Sequence, residues 1–194
     1  MKLSNGLPKM LLRKKVGISR IHLNNIMRFK KLEISGFKSF AHKTDLEFPT
    51  AVSAIVGPNG SGKSNVVDAV RWVLGEQSFK NLRSKSGADL IWAGSTTKSA
   101  QGKASVNLYF DNKDGFFPID FEEVIIGRKV YRDGANEYYL NGSLVRLKDI
   151  AELLARSKLG LRGHSIVNQG SADEILKSNP EERRGILEEA LGLR

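Results

Sequence analysis

The 194-residue sequence contains no cysteine. That excludes disulfides and thiolate metal sites and fits a reducing compartment. Long apolar runs are missing too. Nothing approaches the ~20 consecutive apolar residues of a membrane helix, so no membrane partner is expected and the cytoplasm is the expected location. Acidic residues are absent from residues 1–26, where Lys2, Lys9, Arg13, Lys14, Lys15 and Arg20 carry six positive charges. Setting those six aside reduces the formal charge from +10 to +4 for residues 27–194, a mild excess. A secretory signal is excluded because Arg20, His22, Asn24 and Asn25 interrupt Ile18–Ile26. A transit peptide would be acid-free as this segment is, but richer in serine. The expectation is a poorly ordered basic extension over residues 1–26. His22, His42 and His164 have no ligand-like spacing. A hydrophobic share of 40% with 27% charged residues suits one domain with a real core.

Patterned segments begin near Met27. Phe29–Phe37 and Asp45–Phe48 alternate as strands do, and Ala51–Val56 is a short β-branched run that stops at Gly57, as a buried strand would. Asn65–Leu74 carries apolar residues at 66, 69, 70 and 73, a helical stripe with Gly75 placed to end it. Leu90–Trp92 and Ser105–Asp111 read as strands. The alternation of the latter puts Asn107, Tyr109 and Asp111 on one half-exposed face. Val124–Tyr131 and Glu137–Leu140 flank the turn pair Asp133-Gly134, and Asn141-Gly142 offers a second turn. Leu147, Ile150, Ala151 and Leu154 share one helix face. A strand is expected at Ser165–Val167 and a short helix at Ala172–Lys177. A further helix has Asn179 as N-cap, Pro180 in its first turn and Glu182 at the capping-box position. The expected fold is α/β: a mixed sheet around the helix after Gly62, with an antiparallel hairpin layer from about 104 to 145.

One motif carries chemistry. Gly57, Pro58, Asn59, Gly60, Ser61, Gly62, Lys63 and Ser64 satisfy G-x-x-x-x-G-K-[ST], and Asn65 follows. A triphosphate must be met by several backbone N–H groups at once. The loop therefore needs glycines that tolerate unusual dihedrals, and a helix N-terminus behind it. Lys63 suits the β- and γ-phosphates, and the Ser64 hydroxyl suits Mg²⁺, so ATP and Mg²⁺ are the expected ligands. Hydrolysis also needs an acid at the end of a buried strand. Asp111 ends an alternating strand, and Asp120, Glu122 and Glu123 follow Pro118. None fits, so no catalytic residue is expected from this chain. Leu140–Ser143 sits in a hairpin turn and does not serve as a signature motif.

Several segments together resemble the family of structural maintenance of chromosomes (SMC) ATPases. Leu32–Phe40 is similar to the first strands of an SMC head, Gly57–Asn65 to its P-loop, and Trp72–Ser78 to the segment that follows. Ser165–Gly170 resembles the Q-loop. Pro180–Arg184 with Glu188-Glu189-Ala190 resembles the start of the coiled coil, which places residues 180–194 there. The resemblance runs in order through residues 27–194, and Met27 sits where such proteins begin, making it the expected start of translation.

The resemblance implies the N-terminal part of an ABC-type head. The signature motif, the Mg-binding Asp and the catalytic Glu would come from a distant C-terminal segment. It implies Gln169 as a second Mg²⁺ ligand beside Ser64, an amide oxygen on a hard cation. It places Arg83 on the arginine loop that senses DNA. There the lysine usual three residues later is replaced by Ser86, with Lys85 one position earlier. The plain alternative for Arg83 is a surface pair with a carboxylate such as Asp89. Implied partners are the C-terminal half of the same head, a second SMC head joined through ATP, double-stranded DNA and a kleisin-type subunit, in a nucleoid-associated assembly. Lys30, Lys31, Lys38, Lys80, Arg83, Lys85, Lys98 and Lys103 could form a DNA-facing surface or be ordinary solvated charge. A RecF- or RecN-like repair ATPase and a stand-alone, non-hydrolysing nucleotide module are the alternatives.

Overall fold

The computed structural model describes residues 28–50, 52–157, 179–181 and 184. Six strands, β1 (Arg28–Ser35), β2 (Thr44–Glu47), β3 (Lys103–Asp111), β4 (Glu123–Tyr131), β5 (Asn136–Leu140) and β6 (Ser143–Val145), join in one antiparallel sheet of order β2-β1-β3-β4-β5-β6. Two helices, α1 (Lys63–Val73) and α2 (Leu147–Arg156), complete the described elements with a 3₁₀ turn at Ala88–Leu90. The strict alternation along β3 sends Ala104, Val106, Leu108 and Phe110 inward and leaves Asn107, Tyr109 and Asp111 half-buried on the other face. The register aligns Leu32 with Leu108 and Leu108 with Ile126, so the inner face of three strands is a continuous apolar surface.

Helix α1 lies on that face because Val66, Ala69, Trp72 and Val73 share one side of it. The Trp72 ring meets Phe37 with centroids 5.2 Å apart. Each such side chain contributes roughly 1.5–3 kcal/mol on full burial. One of the buried polar residues is Arg128 of β4, only 2% exposed. Its guanidinium donates to the carbonyls of Trp72 (2.7 Å) and Glu76 (2.8 Å) and to Asn136 Oδ1 (3.0 Å). It also stacks near the rings of Trp72 and Tyr138. Burial pushes its pKa down to about 10, which still leaves it charged at neutral pH. The Trp72 carbonyl accepts the Gly75 N–H as well (3.1 Å), and a cation at this end of α1 complements the helix dipole.

The α/β class and the hairpin layer hold, and two expected strands do not. Residues 52–56 form no strand, and Val52 and Val56 are each 87% exposed. The described strands pair only with one another, so this run has no ladder to join, and a lone strand leaves its N–H and C=O groups to water. The parallel component of the expected mixed sheet is therefore absent among the described residues. Leu90–Trp92 is likewise a 3₁₀ turn followed by a single bridge, Phe37 to Ile91, although Leu90 and Ile91 are buried. Between β3 and β4, Asn112 holds the Pro118 loop in place of a strand. Its Nδ2 donates to the carbonyls of Phe117, Ile119 and Phe121, and its Oδ1 accepts the Phe117 N–H. The expected basic extension (1–26), Ser165–Val167, Gln169, Ala172–Lys177 and nearly all of 180–194 lie outside the described residues.

Glu137 on the outer face accepts the hydroxyls of Tyr139 (2.6 Å) and Tyr131 (3.0 Å). These bonds hold the carboxyl below the usual range, raise Tyr131, and push Tyr139 up to about 12. Burial is the first cause raising Tyr138 and Tyr109. All four tyrosines of the chain should therefore ionise above 10.0, the ordinary value, in an ultraviolet titration of the phenolate band. Glu137→Gln should bring Tyr139 and Tyr131 back toward that value. The phenols are favoured in their neutral form, so the stability they contribute is complete below 10 and is lost as pH rises through about 12.

Candidate functional site

Residues 57–62 turn tightly ahead of α1. Ser61 N–H donates to Pro58 O (3.3 Å), and Gly62, the helix N-cap, accepts N–H bonds from Asn65 (2.9 Å) and Val66 (3.3 Å). Gly60 and Gly62 take φ of 80° and 89°, the left-handed region in which only glycine is unstrained. A Cβ at Gly62 would also stand 2.8 Å from Ser39 Oγ. Ser39 in turn accepts a 2.8 Å hydrogen bond from Asn65 Nδ2, which ties the segment after β1 to the first turn of the helix.

Lys63 folds back over the loop, its ammonium donating to Gly57 O (2.5 Å) and Pro58 O (2.7 Å). The first turn of α1 carries no acidic residue, so the helix dipole and its free N–H groups face outward unopposed. ATP·Mg fits this set. The glycines keep side chains out of the cradle, and the N–H groups and the ammonium are anion donors. The exposed Ser64 hydroxyl is a hard oxygen ligand of the kind Mg²⁺ prefers. Phosphate oxygens would give Lys63 charge-assisted bonds, stronger than those it makes to neutral carbonyls.

One turn beyond Ser64, Asp68 points into the core with its side chain 5% exposed. Its Oδ2 accepts from Lys38 Nζ at 2.5 Å and from Arg83 Nη2 at 2.6 Å, and Lys38 also donates to Leu82 O. Arg83 thus pairs with Asp68 and not with Asp89. Asp89 instead accepts the N–H groups of Lys85 and Ser86, both at 2.9 Å, bonds that hold its pKa below the usual range. Asp68 was missed in the sequence because it lies off the apolar stripe of 66, 69, 70 and 73 and on the helix side that carries the exposed Ser64, so that only the fold, which buries it, shows that it needs a cation. The rejected acids sit in other roles, Glu123 paired to Lys30 at 2.8 Å and Asp111 accepting the Lys113 N–H. Among the described residues no cluster of three or more His, Asp and Glu could hold a metal ion. No described helix is long and apolar enough to cross a membrane.

A glycine loop opening a helix that packs on an antiparallel sheet is a P-loop type of phosphate site, and the fold around it matches the ABC-type heads of SMC ATPases. The family model described as the RecF/RecN/SMC N terminal domain matches residues 28–162, and the chain belongs to that family. It is 55% identical over 167 residues to the chromosome partition protein Smc of Halothermothrix orenii, covering 86% of this chain and 14% of that protein. The chain thus spans about one seventh of the length of the curated relatives it matches. Among solved structures, a chain from work on ATP-driven dimerization and DNA-stimulated activation of SMC ATPases superposes with TM-score 0.78 at 40% identity. It covers 84% of this chain and 98% of that one. The Smc head of Pyrococcus furiosus bound to the C-terminal domain of ScpA gives TM-score 0.78 at 41% identity, over 84% and 41% of the two chains. Likeness to the recombination mediator RecF, 24% identical with TM-score 0.56 over 84% of this chain and 38% of that one, extends to the fold alone.

Gly62→Ala forces a side chain into the left-handed region and against Ser39. Denaturant unfolding should show a loss of about 1–3 kcal/mol. Adding Ser39→Ala should recover the steric part only.

Proposed function

We propose that this chain is the ATP·Mg-binding N-terminal part of a chromosome-organising SMC ATPase head, a component of an ABC-type ATPase that does not hydrolyse ATP by itself. The observation that carries the reading is the left-handed glycine pair that opens α1, with Lys63 and Ser64 in its first turn. Gly57–Asn65 bind the phosphates through main-chain N–H groups and the Lys63 ammonium. Ser64 and Gln169 ligate Mg²⁺, and Arg83 senses DNA. Bound ATP·Mg supplies the phosphoryl group to be transferred and an ion that neutralises its charge. The metal-binding Asp and the catalytic Glu come from the C-terminal half of the head. That half also supports the apolar run at 52–56, whose exposed Val52, Ile55 and Val56 lie in sequence beside the loop. The further partners are a second head joined through ATP, double-stranded DNA and a kleisin-type subunit, in the cytoplasm. The 55% identity to a chromosome partition protein favours this reading over a RecF- or RecN-like repair ATPase.

Isothermal titration should show ATP·Mg binding that Lys63→Ala abolishes, with turnover at background rate. Robust turnover by the chain alone, lost on Lys63→Ala, would mean that it carries its own catalytic acid. Mixing in the matching C-terminal head segment should restore hydrolysis and ATP-dependent dimerisation and slow amide exchange at 52–56. Gln169→Ala should then lower the Mg²⁺-dependent rate while sparing the fold. Double-stranded DNA of any sequence should stimulate the reconstituted head, less so as salt rises, because phosphate contacts release counterions. Arg83→Ala should remove that stimulation and keep basal hydrolysis.

A further inference from the structure

The two cations on Asp68 are not equivalent. Lys38 is partly buried, its side chain 10% exposed, and a second bond to Leu82 O fixes its ammonium between helix and loop. Arg83 comes from outside. Its side chain is 52% exposed, one nitrogen reaches Asp68, and a guanidinium has five N–H donors to offer. Lys38 alone can neutralise the buried carboxylate, so Arg83 can leave without stranding a charge in the core. Its backbone is pinned meanwhile. Leu82 is fully buried, Arg83 N–H donates to Lys80 O, Ser84 N–H donates to Phe79 O, and Arg83 itself sits at φ 50°. The side chain is the part free to change partners.

We infer that Asp68 is a positioning residue of the DNA response: its carboxylate competes with a DNA phosphate for the Arg83 guanidinium. The inference rests on the DNA role proposed above for Arg83. Both anions want the same planar donor set, and a guanidinium pairs with carboxylate and phosphate alike. Because Asp68 stands one turn beyond Ser64 on α1, the group that DNA must displace is attached to the helix that presents the phosphate loop. DNA binding would thereby change the charge balance beside the nucleotide, with Lys38 left as sole partner of Asp68.

The test is a fluorescence-anisotropy titration of the full chain with a labelled duplex at fixed low salt, folding being checked by circular dichroism. Asp68→Asn keeps the shape and an acceptor oxygen but removes the competing charge, so it should tighten DNA binding by about fivefold or more. Lys38→Gln leaves Arg83 as the only cation on Asp68 and should weaken binding. In an Arg83→Ala background, Asp68→Asn should change nothing. The inference is overturned by an Asp68→Asn chain that binds no more tightly than the parent while Arg83→Ala binds more weakly, a result that leaves the DNA role of Arg83 standing. Tightening by Asp68→Asn that persists without Arg83 overturns it too, as a general effect of lost negative charge. Should Asp68→Asn fail to fold, Lys38→Gln decides alone, and unchanged affinity counts against the idea. A parent chain that ignores the duplex, or an Arg83→Ala chain that binds like the parent, defeats the DNA role itself and this inference with it.

Discussion

Charge buried in this small core has to be matched, and the matching fixes where α1 stands. Arg128 crosses from β4 to the far end of the helix and gives its hydrogen bonds to the Trp72 and Glu76 carbonyls. Asp68, in the middle of the same helix, is met by Lys38 from the segment after β1. Apolar packing of Val66, Ala69, Trp72 and Val73 decides which side of the helix meets the sheet. A buried ion whose partner is displaced costs several kcal/mol, so the two charged groups reinforce that placement at the middle and the far end of the helix. Breaking either contact by removing one partner is worse than never having had it.

That constraint propagates to the phosphate loop. The loop itself has few side chains and makes few bonds beyond those of Lys63 to its carbonyls and the Asn65–Ser39 contact. Its position is inherited from α1, whose N-terminus it forms. A glycine-rich loop on a helix held at its middle and its far end presents its N–H groups in a fixed direction, which lowers the ordering cost of gripping an anion. The strained backbones at Lys38 and Arg83, φ 47° and 50°, lie where two loops converge on Asp68. Residues held in that region persist only where their surroundings over-determine them.

Much of this could be read in the sequence because it is local. The alternation of β3, the turns at Asp133-Gly134 and Asn141-Gly142, and the helical stripe after Gly62 each depend on residues a few positions apart. The motif at Gly57–Ser64 was legible for the same reason. What escaped was decided at a distance. The run at 52–56 has the composition of a buried strand, but a strand needs a neighbour, and composition does not say whether one is present. Leu90 and Ile91 were rightly apolar and buried, yet a 3₁₀ turn delivers them to the core as well as a strand would. Asp68, Arg83 and Arg128 look like solvated charge in a one-dimensional pattern. Their partners lie 30, 15 and 56 residues away in the chain, and only the fold brings them together.

Nucleotide site and DNA response, as proposed, then share one mechanical part. α1 carries Lys63 and Ser64 at its front and Asp68 one turn behind them, so a change of partner at Asp68 acts on the same rigid body that orients the phosphates. The distance to be bridged is a single helical turn, about 5.4 Å. No relay of side chains is required over so short a span. What is required is that Asp68 have two partners of unequal hold, and the 10% exposure of the Lys38 side chain against the 52% of Arg83 meets that requirement. A lysine in place of Arg83 would offer a point charge where a planar fork now sits. It would lose the donors that let one guanidinium face Asp68 and solvent at once.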